Sequence, residues 1–120
     1  MPDFVLAHFS LGTIYERLER YQEAIEAYKQ VIRLKPDLAE AHFSLGTIYE
    51  SLKRYQEAIE EYKHTICIMP DFVLAHYNLG IAYLSRKDSG SALDQYKILK
   101  NLDEDSASKL LNQINKWDDI

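Results

Sequence analysis

Three histidines recur at one spacing: His8, His42 and His76 stand 34 residues apart. Three imidazoles are a natural ligand set for zinc, provided that all three nitrogens reach within about 2 Å of the ion. A second pair, His64 and Cys67, lies at i and i+3, which places both side chains on one face of a helix. Asp103, Glu104 and Asp105 offer oxygens of the kind that hard cations prefer. None of these sets completes a site. His64 and Cys67 lack a third ligand, and acids at a helix start are already explained by capping and by the helix dipole. There is no Gly-rich phosphate loop, and no Ser or Cys has a recognisable base near it in sequence. The expectation is a protein without catalytic residues, metal or cofactor, and not an enzyme.

The spacing of the histidines leads to the elements that carry them. Pro2, Pro36 and Pro70 repeat at the same interval of 34, as do Gly12, Gly46 and Gly80, and Tyr15, Tyr49 and Tyr83. Ala24, Ala58 and Ala92 follow it too, with Tyr28, Tyr62 and Tyr96. A fixed period of this length marks a repeat array, in which each unit buries its apolar face against the next. Each histidine then sits in a different unit. Helix packing separates neighbouring units by on the order of 10 Å, which is too far to share one metal. The histidines read as packing residues, and so do most of the nine tyrosines.

Within a unit the apolar spacing predicts two helices. Leu38, Ala41, Leu45, Ile48, Tyr49 and Leu52 fall on one side at 100° per residue. A polar turn at Lys53-Arg54 precedes a second amphipathic run from Tyr55 to Ile68, ended by Pro70 because a residue before proline avoids helical geometry. Helices are expected at 3–18, 21–34, 37–52, 55–68, 71–85 and 88–101, each first helix opening on Pro-Asp. Gly46, in mid-helix, costs about 1 kcal/mol against Ala, so its small size should serve a close neighbour, with Ala58 the expected one. Residues 105–117 put Leu110, Leu111, Ile114 and Trp117 on one face. Ile114 falls where the register would require glycine, so this helix should close the array. No matching cap is expected at the first helix, which begins directly with Phe4-Val5-Leu6.

The pattern resembles the tetratricopeptide repeat family. It reads His8…Leu11-Gly12…Tyr15…Ala24…Tyr28…Pro36 and again His42…Leu45-Gly46…Tyr49…Ala58…Tyr62…Pro70. The third copy is His76…Leu79-Gly80…Tyr83…Ala92…Tyr96, with Glu104 in the proline position. Histidine replaces the family's frequent tryptophan, and Ser89-Gly90 replaces Tyr-Gln at the start of the last second helix and should loosen it. The resemblance implies an all-α, right-handed solenoid of three antiparallel helix pairs plus one capping helix. The units are 2–35, 36–69 and 70–104, followed by the cap at 105–117, in a single domain over 1–120.

The resemblance also implies that first-helix faces line a concave groove that grips peptides or helices. Opposite the core stripe these faces carry Leu6, Phe9, Thr13 and Glu16, then Glu40, Phe43, Thr47 and Glu50. In the third unit they carry Leu74, Tyr77, Ile81 and Leu84, with Asn78 beside them. Stacking would bring Phe9, Phe43 and Tyr77 into a row, where they either meet a ligand or pack against neighbouring helices. Members that bind chaperone tails clamp a C-terminal carboxylate with Lys, Asn and Arg. No Lys or Arg occurs on these stripes, so such a clamp is not expected. Glu16, Glu40 and Glu50 suit instead a ligand with basic residues flanking apolar anchors, held as an extended peptide or an amphipathic helix.

Composition agrees with these exclusions. The net charge is −5 and the pI about 5.3, with no basic cluster for phosphates or an anionic membrane. No apolar run approaches the roughly 20 residues of a membrane span, and the first residues lack the features of a signal peptide. A lone cysteine, Cys67, fits a reducing compartment, so the expected location is the cytoplasm.

Units one and two share 23 of 34 residues. Residues 1–8 repeat 69–76, and residues 7–16 repeat 41–50, letter for letter. Recent duplication leaves such joins, and so does a deliberate splice. Two functions therefore stand side by side: a protein-interaction scaffold using the groove, and a self-assembling repeat protein whose apolar surfaces bind another copy.

Overall fold

A computed structural model describes residues 3–118. Seven helices follow one another: α1 (Asp3–Arg17), α2 (Tyr21–Leu34), α3 (Ala39–Ser51), α4 (Tyr55–Ile68), α5 (Val73–Ser85), α6 (Ser89–Leu102) and α7 (Glu104–Asp118). The first six form three hairpins stacked in chain order, and α7 lies on α5 and α6. The array measures 46 × 26 × 19 Å. Pro2 lies outside the described residues. No helix among them is long and apolar enough to cross a membrane.

The hairpin turns are built alike. Glu19, Lys53 and Lys87 each take a left-handed conformation with φ of 57°, 61° and 62°. Each ends a first helix sharply, so that Arg20 N, Arg54 N and Asp88 N return to the carbonyls of Tyr15, Tyr49 and Tyr83. At the second-helix starts Arg20 chelates Glu23 and Arg54 chelates Glu57. In the third unit Asp88 Oδ1 instead accepts from Ser91 N at 3.1 Å. This aspartate cap holds α6 over its full length despite Ser89-Gly90.

Between units the expected start of the first helices is displaced. Pro36 and Asp37 lie in the turn, Leu38 is the extended cap residue, and α3 begins only at Ala39. The cause is His42, whose Nε2 donates to the Pro36 carbonyl at 2.9 Å and so occupies an acceptor that a longer helix would use. His76 treats Pro70 the same way at 2.6 Å, and α5 begins at Val73.

The core has two main parts. Ala24, Ile25, Tyr28, Leu45, Ile48 and their third-unit counterparts Leu79 and Ala82 join the three hairpins. Leu84, Leu99, Ala107, Leu110 and Ile114 fasten α7 to the last hairpin. Fully burying one such aliphatic side chain stabilises by about 1.5–3 kcal/mol.

The repeated glycines serve a different neighbour from the one expected. A Cβ on Gly46 would stand 2.7 Å from Tyr62 Cε1, and one on Gly12 would stand 2.8 Å from Tyr28 Cε1. It is the tyrosine ring, one helix turn beyond the alanine, that needs the space, rather than Ala58. At Gly80 the space is filled from α7, where Leu110 Cδ2 would lie 2.7 Å from an added Cβ.

Candidate functional site

The tyrosines that press on Gly12 and Gly46 send their hydroxyls towards the first helices. Tyr28 Oη donates to Glu16 Oε1 at 3.1 Å and lies 3.2 Å from Thr13 Oγ1. Tyr62 Oη donates to Glu50 Oε1 at 2.6 Å. Thr47 Oγ1 reaches Glu16 Oε2 at 3.4 Å, which links the first two units. These contacts make a polar floor along the stripe of α1, α3 and α5. Two hollows open on it. One of about 300 Å³ is lined by Thr47, Glu50, Ser51, Tyr62 and Asn78. The other, of about 430 Å³, is lined by Thr13, Glu16, Arg17, Glu19, Tyr21 and Ser51.

The electrostatics follow from partial burial. Loss of water pushes the Glu50 carboxyl above its ordinary value, against the opposing effect of the Tyr62 hydrogen bond. Burial is also the main reason why the phenols of Tyr62 and Tyr28 are pushed up. Both phenols therefore act as donors near neutral pH. Neither Glu16 nor Glu50 is ion-paired among the described residues. The floor thus carries two carboxylates held in place without an ion pair among the described residues, with Arg17 lining the hollow at Glu16.

The predicted residues divide by unit. Leu6, Glu40 and Leu74 are exposed, and Thr13, Glu16, Thr47, Glu50 and Asn78 are half-buried along the floor. The aromatic row is half-buried and packed. Phe9 meets Tyr28 edge-on at 5.5 Å, and Phe43 stacks on Phe72 at 4.9 Å. Tyr77 and Ile81 pack against the α7 cluster, and Leu84 is fully buried within it. Leu84 therefore lies under α7 and not on an open face. Where units one and two place Glu16 and Glu50, the third places this leucine, so the acidic floor ends at Asn78. Ser51 and Tyr62 line the floor but were missing from the predicted set. Ser51 ends its helix, and Tyr62 reaches across from α4, a crossing that spacing along one helix does not reveal.

The histidines are structural ties. In His42, Nε2 faces the Pro36 carbonyl and Nδ1 faces Glu61 Oε1 at 2.8 Å. Two acceptors on two ring nitrogens call for the doubly protonated ring. The hydrogen bond to Glu61 accordingly raises the His42 pKa, burial opposes it, and the Pro36 carbonyl adds to it. His76 has the Gln95 amide in place of the carboxylate, its Nδ1 at 2.8 Å from Gln95 Oε1. In the first unit Ala27 stands in sequence where the second has Glu61, and His8 is half-buried. Asp103 caps α7, its Oδ2 accepting from Ser106 Oγ at 2.6 Å.

Solved structures with this fold include a crystal structure of MamA, 31% identical with a TM-score of 0.81. That match covers 87% of this chain but 61% of MamA, so the chain spans less than two thirds of that relative's length. The first TPR of Spaghetti (RPAP3), bound to the HSP90 peptide SRMEEVD, is 19% identical with a TM-score of 0.86, over 93% of this chain and 90% of that one. The TPR2B domain of yeast Sti1, in complex with an Hsp70 peptide, is 20% identical with a TM-score of 0.83, over 97% and 96%. No curated protein sequence matches. The family model of the tetratricopeptide repeat matches residues 9–68, half of the 120-residue chain. Together with the period of 34 and the seven stacked helices, that match establishes that the chain belongs to the tetratricopeptide repeat family.

Proposed function

We propose that the chain is a protein-interaction module, and that its groove holds a partner's peptide or short amphipathic helix bearing a Lys or Arg between apolar anchors. The observation that carries this reading is the pair of floor carboxylates, Glu16 and Glu50, each fixed by a tyrosine hydroxyl and neither ion-paired among the described residues. A basic side chain entering the hollow at Glu50 would make the charge-assisted hydrogen bonds that desolvation now denies that carboxylate, worth about 1.5–3 kcal/mol. Exposed Leu6 and Leu74, at the same register position in the first and third units, offer apolar contact at the two ends. A structure of the same fold, that of RPAP3, holds the acidic HSP90 peptide SRMEEVD. The floor described above carries the opposite charge from the one such a tail would need, so the ligand class is basic. The location that suits such a module is the cytoplasm.

The test is fluorescence anisotropy with a labelled Leu- and Lys-containing amphipathic peptide and with SRMEEVD. The basic peptide should bind, weaken with added salt, and lose about tenfold in affinity on Glu50→Gln, equivalent to about 1.4 kcal/mol. That variant keeps an acceptor for Tyr62, so the fold should stay intact. Preference for SRMEEVD, or affinity indifferent to Glu50→Gln, would defeat the proposal.

A further inference from the structure

The hollow at Glu50 differs from its counterparts in the other units by the oxygens that line it. Thr47, Glu50 and Ser51 stand at i, i+3 and i+4 on α3, so the latter two both neighbour Thr47 on one face of the helix. Tyr62 borders the hollow from α4 and Asn78 from α5. The hydroxyl protons of this set are already committed. Thr47 Oγ1 donates to the Ser44 carbonyl at 2.7 Å, and its longer contact with Glu16 Oε2, 3.4 Å, draws on the same proton. Ser51 Oγ donates to the Thr47 carbonyl at 3.1 Å, and Tyr62 Oη donates to Glu50 Oε1 at 2.6 Å. A hydroxyl that has given its one proton has only lone pairs left to offer. The α3 trio is therefore a set of acceptors around a carboxylate that makes no ion pair among the described residues. Thirty-four residues earlier the trio is Thr13, Glu16 and Arg17, and 34 later it is Ile81, Leu84 and Ser85. A guanidinium interrupts the first and two aliphatic side chains the last, so the second unit alone has three oxygens.

We infer that this hollow selects lysine over arginine, taking the ammonium of a bound peptide between Thr47, Glu50 and Ser51; the inference rests on the basic-peptide reading above. An ammonium is compact and directs three N–H donors apart from one another, one for each of the three side chains. A guanidinium is a flat fork whose best partner is a carboxylate with both oxygens side by side. At Glu50 one of those oxygens, Oε1, is already held by Tyr62. The other acceptors are single hydroxyls on separate residues, which a rigid fork cannot gather as a rotatable ammonium can. N–H groups left unmatched in the hollow then count against arginine.

The test measures fluorescence anisotropy of four labelled amphipathic peptides on the full chain, differing only at the central residue: lysine, arginine, trimethyllysine or norleucine. Lysine should bind about fivefold tighter than arginine and about tenfold tighter than trimethyllysine, which keeps the charge and loses every N–H. Ser51 is exposed at the end of α3, so Ser51→Ala should leave the circular-dichroism spectrum unchanged. In that variant the advantage of lysine over arginine should shrink to about twofold, through weaker binding of the lysine peptide. Equal affinity for lysine and arginine, or for lysine and trimethyllysine, overturns the selectivity and leaves the basic-peptide reading standing. An undiminished lysine advantage in Ser51→Ala overturns the assignment to this trio. If none of the three charged peptides outbinds norleucine, both readings fall.

Discussion

Replacing Gly46 with alanine sets helix propensity against packing, and the structure says which wins. Alanine in a helix interior is favoured over glycine by about 1 kcal/mol. Against this, the new methyl would stand 2.7, 2.9 and 3.2 Å from three carbons of the Tyr62 ring. That ring is fully buried and its hydroxyl is tied to Glu50 at 2.6 Å, so it cannot swing aside as a free chain end would. Forcing a methyl into such a place costs about 1–3 kcal/mol. Drawing the phenol away from the half-buried Glu50 carboxylate adds about 1 kcal/mol or more. The net expectation is a loss of about 2 kcal/mol, or roughly 6–12 °C in melting temperature for a chain of this size. Urea unfolding followed by circular dichroism measures it, with the midpoint falling at unchanged slope. Gly90→Ala is the internal control, because its nearest foreign atom would be Asp88 Oδ1 at 3.7 Å. That variant should gain up to about 1 kcal/mol. A Gly46→Ala protein as stable as the parent would refute the packing account of the repeated glycine.

Two further expectations come from the turns and ties. Lys53 holds φ of 61° at an exposed turn, so Lys53→Gly should relieve left-handed strain and raise stability by about 0.5–1 kcal/mol in urea, and a loss would mean that its side chain matters more than its backbone. His42 has its pKa raised by the Glu61 hydrogen bond above the ordinary 6.5, so its contribution is complete below that value and disappears as pH rises through the folded pKa. Melting temperature should therefore fall as pH rises above about 6.5, and Glu61→Gln, which recreates the His76–Gln95 pairing, should flatten that slope. An equal slope in the variant would assign the titration to another group.

The period of 34 made the hairpins legible, because every core position announces itself three times. Helix bounds followed closely, except where His42 and His76 take the turn carbonyls and delay α3 and α5 by two residues, an effect of tertiary contact. The capping role of 105–117 was readable from Ile114, but not that Leu110 would enter the Gly80 space and α7 bury Leu84. Spacing placed Glu16 and Glu50 on one stripe. It did not pair them with Tyr28 and Tyr62, which stand twelve residues on and meet them only through the crossing of two helices. The row of Phe9 and Phe43 was legible as a row, yet its rings lie partly against Tyr28, Tyr62 and Phe72, so less of it faces a ligand than the stripe suggested.

The most direct test of the groove is chemical-shift mapping on the isotopically labelled chain during titration with the Leu- and Lys-containing peptide. The account predicts saturable shifts concentrated at Thr13, Glu16, Thr47, Glu50, Leu74 and Asn78, with the outer face of α1 unmoved. Shifts confined to Leu11, Ile14 and Leu18, or scattered over the second helices, would contradict it.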